Sequence, residues 1–390
     1  MTTTYKDNSY SWEDIGNIMK IAMFGHKRIP SREGGVEIVI EELGSRLVKL
    51  GHDVTCFNRA GHHVSGSAFD DKSYNEYKGI HLKKVISIDK KGLAAISSAF
   101  FSSILCAFGR FDVVHIHAEG PALFCFIPKF FGKRVIVTIH GLDHRRAKWG
   151  NLARNVILQG EKNAAKYADE IIVLSKDVQE YFFKNYGRKT YLIPNGVNIP
   201  KIVPAKIIKE KYGLDKNSYV LFLGRLVPEK GISYLLEAWK SIKTDKKLVI
   251  AGGSSDTESY VNELKTKISN NVIFTGFVQG ELLAELFSNA YLYTLPSDLE
   301  GMPLSLLEAM SYKNCCLVSD IDECASVVES YGITFKKSNV TDLKNKLQYL
   351  LDSPLEIEWF KNNAQKYICN KYNWDEVVNK TLILYNCQTK

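Results

Sequence analysis

Short apolar runs alternate with amphipathic ones along most of the chain. Residues 20–25 read as a strand, and residues 34–50 follow as a helix, with Val36, Val39, Ile40, Leu43, Leu47 and Leu50 near 3.6-residue spacing. Strand-like runs recur at 54–57, 113–116, 135–139, 171–174 and 191–193, with helical patterns between most of them. This repetition predicts an α/β chain whose parallel sheet is covered on both faces. Around Pro194-Asn195-Gly196 the pattern breaks into turn residues, as a linker between domains does. It then restarts with strands at 219–223, 248–250, 272–274, 291–294 and 315–318, a helix at 232–242, and mainly helix from Leu343 onward. The expected organisation is a polar tail or upstream start at 1–18, a first Rossmann-like domain at 19–198 and a second at 199–372. A last helix within 373–390 is expected to pack back onto the first domain. Two doubly wound domains would face each other across a cleft, a common place for a ligand.

Composition sharpens this picture unevenly. The chain has 390 residues, 45% apolar and 24% charged, which suits two globular domains and excludes a disordered or fibrous protein. Residues 1–198 carry 28 basic and 20 acidic side chains, whereas residues 199–390 carry 23 of each, so the whole net charge of +8 lies in the first half. All nine histidines lie there too. The first half is thus the one suited to an anionic partner. The eight cysteines form no CxxC pair, and the first eighteen residues carry no signal-peptide pattern, so free thiols in a reducing cytosol are expected. No HExxH or Cys/His quartet suggests a metal, and His115 and His117, two apart on a strand, read as structural. The uncharged stretch 92–109 contains four serines and is too short for a span, so a buried or membrane-facing helix is expected.

Four clusters fall in loops after strands. Gly25-His26-Lys27-Arg28-Ile29-Pro30-Ser31-Arg32-Glu33-Gly34-Gly35 sets three cations beside a Gly-Gly helix start, which favours an anion site over a plain tight turn. His140-Gly141 ends an apolar strand, where a histidine can reach a ligand. Gly224-Arg225-x4-Lys230-Gly231 places a forked and a point cation on one short loop, able to neutralise a diphosphate. An ion pair with Glu229 is the plain alternative. Finally, Glu300-Gly301-Met302-Pro303-Leu304 opens a helix carrying Glu308 about two turns along. Pro303 fits a first helical turn, leaving free amides for an anion, and the carboxylates suit sugar hydroxyls.

In this order and spacing the clusters resemble the retaining glycosyltransferases of family 4, which use the two-domain GT-B fold. The resemblance runs from Met19 to the tail, and the loop 25–35 is further similar to bacterial enzymes that build capsular or other surface polysaccharides. It implies that Arg225 and Lys230 grip the donor diphosphate and that the Gly301–Leu304 backbone holds the β-phosphate and sugar. Glu300 would take sugar hydroxyls, Glu308 the ribose, and Gly34 and Gly35 the diphosphate from the other side. His140 would line the reacting sugar, and Thr275 to Val278 would flank the base. Many relatives read Glu-Gly-Phe-Gly-Leu-Pro where this chain has Met302 and Pro303, and Pro303 lacks one donor N–H.

The activity so implied is metal-independent hexosyl transfer with retention, from a nucleoside-diphosphate sugar, most simply a UDP-sugar, with no cofactor. Asp320-Ile321-Asp322 has the spelling of a metal pair but no other ligand cue. For an acceptor, the basic first half and Lys129-Phe130-Phe131-Gly132-Lys133-Arg134 point to a polyprenyl-diphosphate-linked saccharide at an anionic membrane face, on a cytoplasmic protein touching the membrane peripherally. An ordinary basic surface is the alternative there, and a GT-B-shaped sugar-nucleotide epimerase is the alternative activity. The aromatic residues do not interleave with a basic stripe, which argues against nucleic acid.

Overall fold

The structure is a computed structural model that describes residues 17–60, 74–88, 93–146, 149–253, 257–266, 268 and 270–387. Most of the expected tail, residues 1–16, lies outside these. Two sheets carry the fold. The first contains β1 (Lys20–Phe24), β2 (Asp53–Arg59), β3 (Glu76–Tyr77), β4 (Ile80–Val85), β5 (Val113–His117), β6 (Arg134–Ile139), β7 (Glu170–Val173) and β8 (Tyr191–Leu192), in the order β3-β4-β2-β1-β5-β6-β7-β8. The second contains β9 (Tyr219–Leu223), β10 (Lys247–Ala251), β11 (Val272–Gly276), β12 (Leu292–Leu295), β13 (Cys316–Ser319) and β14 (Ile333–Phe335), in the order β11-β10-β9-β12-β13-β14. Every pairing is parallel except that of β3 with β4.

Parallel strands covered on both faces must be apolar throughout, and β1, β6, β9 and β12 are buried over nearly their whole length. The strand order reverses beside β1 in one sheet and beside β9 in the other. At such a switch point the neighbouring loops diverge and leave a crevice at the carboxyl ends of the strands. β4 and β14 were not read from the sequence. The Lys83-Lys84 pair interrupts the alternation of β4, and β14 is only three residues long.

The chain crosses between the sheets twice, and the crossings lie side by side, with the Val197 amide donating to the Tyr372 carbonyl at 2.8 Å. After the second crossing the helix Trp374–Asn386 packs on the first domain. Val378, Leu382, Leu384 and Tyr385 join the core of Ile21, Met23, Ile40 and Leu43. All eight cysteines are free, six of them buried.

The helix Leu93–Phe108 is inverted relative to an ordinary surface helix. Ser98, Ser102 and Ser103 face inward, while Leu105 and Phe108 are 48% and 73% exposed. The Phe108 ring meets Phe131 edge-on at 4.7 Å, and Phe130 and Phe131 are themselves 73% and 52% exposed. No described helix is long and apolar enough to cross a membrane.

Candidate active site

Loops from both switch points enclose one cleft of about 1070 Å³. The loop after β1 supplies Lys27, Arg32, Gly34 and Gly35, and the segment after β6 supplies His140, Asp143 and Arg146. From the second domain come Arg225 and Lys230 after β9, Val278 after β11, and Glu300 to Leu304 and Glu308 after β12. Of the residues expected from the sequence, Gly34, Gly35, His140, Arg225, Lys230, Val278, Glu300, Gly301, Met302, Pro303, Leu304 and Glu308 line this cleft. Thr275 does not. Its hydroxyl turns back onto the Gly276 carbonyl at 3.0 Å, and Phe277 with Val278 forms that part of the wall instead. Arg28 also lies outside the lining.

The two walls touch. A Cβ on Gly301 would stand 1.7 Å from the His140 carbonyl oxygen, and one on Gly141, at φ +146°, would stand 3.1 Å from the Gly301 Cα. Only glycine at both positions lets the backbones approach this closely. Beside this contact, Gly35 starts the helix Gly35–Lys49 against the Leu304 side chain, and Leu304 starts the helix Leu304–Ser311. Two helix amino ends, each with unpaired first-turn amides, therefore flank the cleft. Pro303 is the N-cap residue rather than part of the first turn, and its carbonyl accepts from the Leu306 and Leu307 amides. The Met302 sulfur accepts from the Asn195 amide of the crossing segment at 3.0 Å.

Charges bridge the walls as well. Arg32 of the first domain donates to Glu308 of the second at 3.1 Å. Burial holds the Glu308 carboxyl above its ordinary value while Arg32 pulls it down. Lys230 pairs with Glu300 at 2.5 Å, and Ser297 donates to the same oxygen at 2.6 Å. The expected alternative, a pair with Glu229, is thus corrected. Glu229 instead lies 4.0 Å from Arg146, which binds Asp143 at 2.7 Å. Burial lowers the Arg225 guanidinium, and Arg146 across the cleft lowers it further. Asp143, Glu229 and Glu300 pull the other way, so the two guanidinium groups share the cleft with carboxylates as well as with each other.

Behind His140 runs a row of imidazoles. His140 Nε2 meets His117 Nδ1 at 3.1 Å, the His117 and His115 rings lie 4.1 Å apart, and His115 Nδ1 meets the Tyr385 hydroxyl at 2.6 Å. Burial pushes His140 down to about 4 and His115 to about 3, so the row is neutral at ordinary pH. Arg146 and Asp143 were not singled out from the sequence, although Asp143 closes the motif His140-Gly141-Leu142-Asp143. Their signal was a charge pair three apart directly after a ligand-facing histidine.

Comparison with known proteins agrees with this geometry. Residues 33–200 match Glycosyltransferase Family 4, and residues 205–386 match Glycosyl transferases group 1. The chain is 28% identical to a UDP-Gal:α-D-GlcNAc-diphosphoundecaprenol α-1,3-galactosyltransferase of Escherichia coli, over 71% of this chain and 75% of that one. It is 29% identical to the N,N'-diacetylbacillosaminyl-diphospho-undecaprenol α-1,3-N-acetylgalactosaminyltransferase of Campylobacter jejuni, over 60% and 65% of the two chains. Among solved structures, HepE of Anabaena, crystallised with UDP and glucose, superposes with a TM-score of 0.77 at 17% identity, covering 93% of this chain and 98% of that one. That likeness establishes the GT-B architecture.

Proposed function

The chain belongs to the glycosyltransferases, as a family 4 domain followed by a group 1 domain on a GT-B fold, and on that premise we propose that it transfers a hexose, with retention, from a UDP-sugar to a polyprenyl-diphosphate-linked saccharide. The observation that carries this reading is the convergence of Arg146, Arg225 and Lys230 with two helix amino ends on one cleft. Fixed cations and amides suit a diphosphate whose charge grows as it leaves. Glu308 lies where it can accept ribose hydroxyls, displacing Arg32. Glu300, held by Lys230 and Ser297, offers acceptors to the sugar. In the step itself the bond from the anomeric carbon to the β-phosphate oxygen breaks, and its electron pair departs with the diphosphate. The acceptor hydroxyl attacks from the same face, and its proton passes to the leaving phosphate oxygen. These residues supply the positive charge without a metal.

A screen of UDP, GDP, dTDP, ADP and CMP, each with EDTA, tests the donor half by thermal unfolding. UDP at about 100 times its dissociation constant adds ~2.7 kcal/mol, a visible rise in melting temperature. A flat response to all five nucleotides sinks the reading.

The acceptor half rests on the two named relatives, whose acceptors are carried on undecaprenyl diphosphate, and on the face around Phe108. Phe108, Phe130 and Phe131 stand exposed together, with Lys83 and Lys133 both acting on Cys106 of the same helix. Lys129 and Arg134 are already paired, with Asp169 and Glu170, so aromatic burial carries more of the attraction than charge does. Fully burying one such ring is worth about 1.5–3 kcal/mol. The protein is expected to sediment with phosphatidylglycerol vesicles and to keep much of that binding in high salt. Phe108→Asp with Phe130→Asp should release it. Equal sedimentation by the double variant rejects this face as the membrane contact, and no sedimentation by the parent chain rejects membrane contact itself.

A further inference from the structure

Behind the cleft, outside every residue given a part in transfer above, three side chains converge from three segments. Glu119 follows β5, His144 lies in the turn Asp143–Arg145, and Glu161 lies on the helix Asn151–Tyr167. Both glutamates are 0% exposed. His144 Nδ1 lies 3.2 Å from Glu161 Oε2 and 3.8 Å from Glu119 Oε1, and these three atoms all fall within 4.8 Å of one another. None of the three atoms has a hydrogen-bond partner outside the triad, although each is itself shielded from solvent. Glu161 thus faces both Glu119 and His144 at close range.

The remaining carboxylate oxygens are anchored. Glu119 Oε2 accepts from the Asp143 amide at 2.8 Å, and Glu161 Oε1 accepts from the Tyr181 hydroxyl at 2.9 Å and from the Tyr186 hydroxyl. Each carboxylate is thus oriented through one oxygen and presents the other, the arrangement in which outer partners hold metal ligands. Among the described residues the ion pairs of both glutamates run to His144 alone.

We propose that Glu119, His144 and Glu161 bind a divalent transition-metal ion, Zn²⁺ or Mn²⁺, as a structural clamp. Two carboxylate oxygens and one imidazole nitrogen suit these ions, and ligands at ~2.1 Å stand about 3.4 Å apart in the tetrahedral shell of Zn²⁺. The ion ties the turn bearing Asp143, and hence its partner Arg146, to the helix behind it, so it steadies a wall of the cleft without touching the substrate. The chemistry of transfer does not require it, and the two readings stand or fall separately.

Metal content is the test. The protein is stripped with chelator, incubated with Zn²⁺ or Mn²⁺, desalted and assayed for bound metal alongside its melting temperature. The expected result is about one ion per chain and a raised melting temperature in the parent protein, with both lost in Glu161→Gln and in His144→Gln. If Glu161→Gln does not fold, His144→Gln, at the partly exposed member of the triad, gives the answer alone. A parent protein that retains no metal overturns the proposal. So does equal retention by His144→Gln, which assigns the ion to surface groups such as His81 with Asp53 and Glu76.

Discussion

Lys230→Ala is expected to cut turnover by about 100- to 1000-fold, the scale found when one preorganised charge-stabilising group is removed from an active site. Lys230 is nearly buried, and its ammonium is fixed by Glu300 at 2.5 Å on a loop at the sheet's switch point. A cation held in that way needs no reorganisation as charge gathers on the leaving diphosphate. The same truncation leaves Glu300 without its ion-pair partner, which costs stability in its own right. The two effects separate in the double variant Lys230→Ala/Glu300→Gln, which should recover thermal stability while turnover stays low. Initial rates with the UDP-sugar are the measurement, and kcat should fall more than KM rises. Near-parental turnover in folded Lys230→Ala removes the lysine from the chemistry.

The local layers of this protein are legible in its sequence because they rest on short-range periodicity. The apolar runs that became β1, β5, β6, β9 and β12 had to be buried on both faces, and a chain that alternates such strands with helices has few parallel arrangements. That in turn sets the loops after β1, β6, β9 and β12 along one cleft, which is why motifs spread over some 280 residues could be read as a single site. Long-range pairings were not legible. Nothing in the spacing says that Lys230 chooses Glu300, 70 residues away, over adjacent Glu229, or that Arg32 spans the cleft to Glu308. The first choice follows from how the loops after neighbouring β9 and β12 meet within one sheet, and the second from how the two sheets dock. The helix Leu93–Phe108 shows the same limit. Its apolar character was plain, but only the fold reveals that its serines face the core and its large side chains face out.

Acidification from pH 7.5 to 5 is expected to destabilise the protein steeply, because the imidazole row must stay neutral in the folded state. His115 and His117 are fully buried, and burial holds them, with His140, far below the ordinary value near 6.5. A group lowered on folding contributes stability that is complete above its unfolded value and is lost as pH falls toward its folded one. Between pH 6 and 5 the unfolded chain therefore binds about three more protons at these positions. Glu119 works in the opposite sense. In the chelator-stripped protein, where it is raised to about 11, it keeps its proton when folded and releases it when unfolded above pH 4.5, which returns one proton to the count. For these four groups the net of about two protons corresponds to a loss of ~2.7 kcal/mol per pH unit, a large share of a typical folding free energy of about 5–15 kcal/mol. Urea unfolding of the chelator-stripped protein at pH 7.5, 6 and 5 measures this slope, and His117→Leu should lower it by about one proton. Stability that is flat or rising toward pH 5 contradicts a neutral row, and the cleft wall formed by His140 would then rest on a charged imidazole.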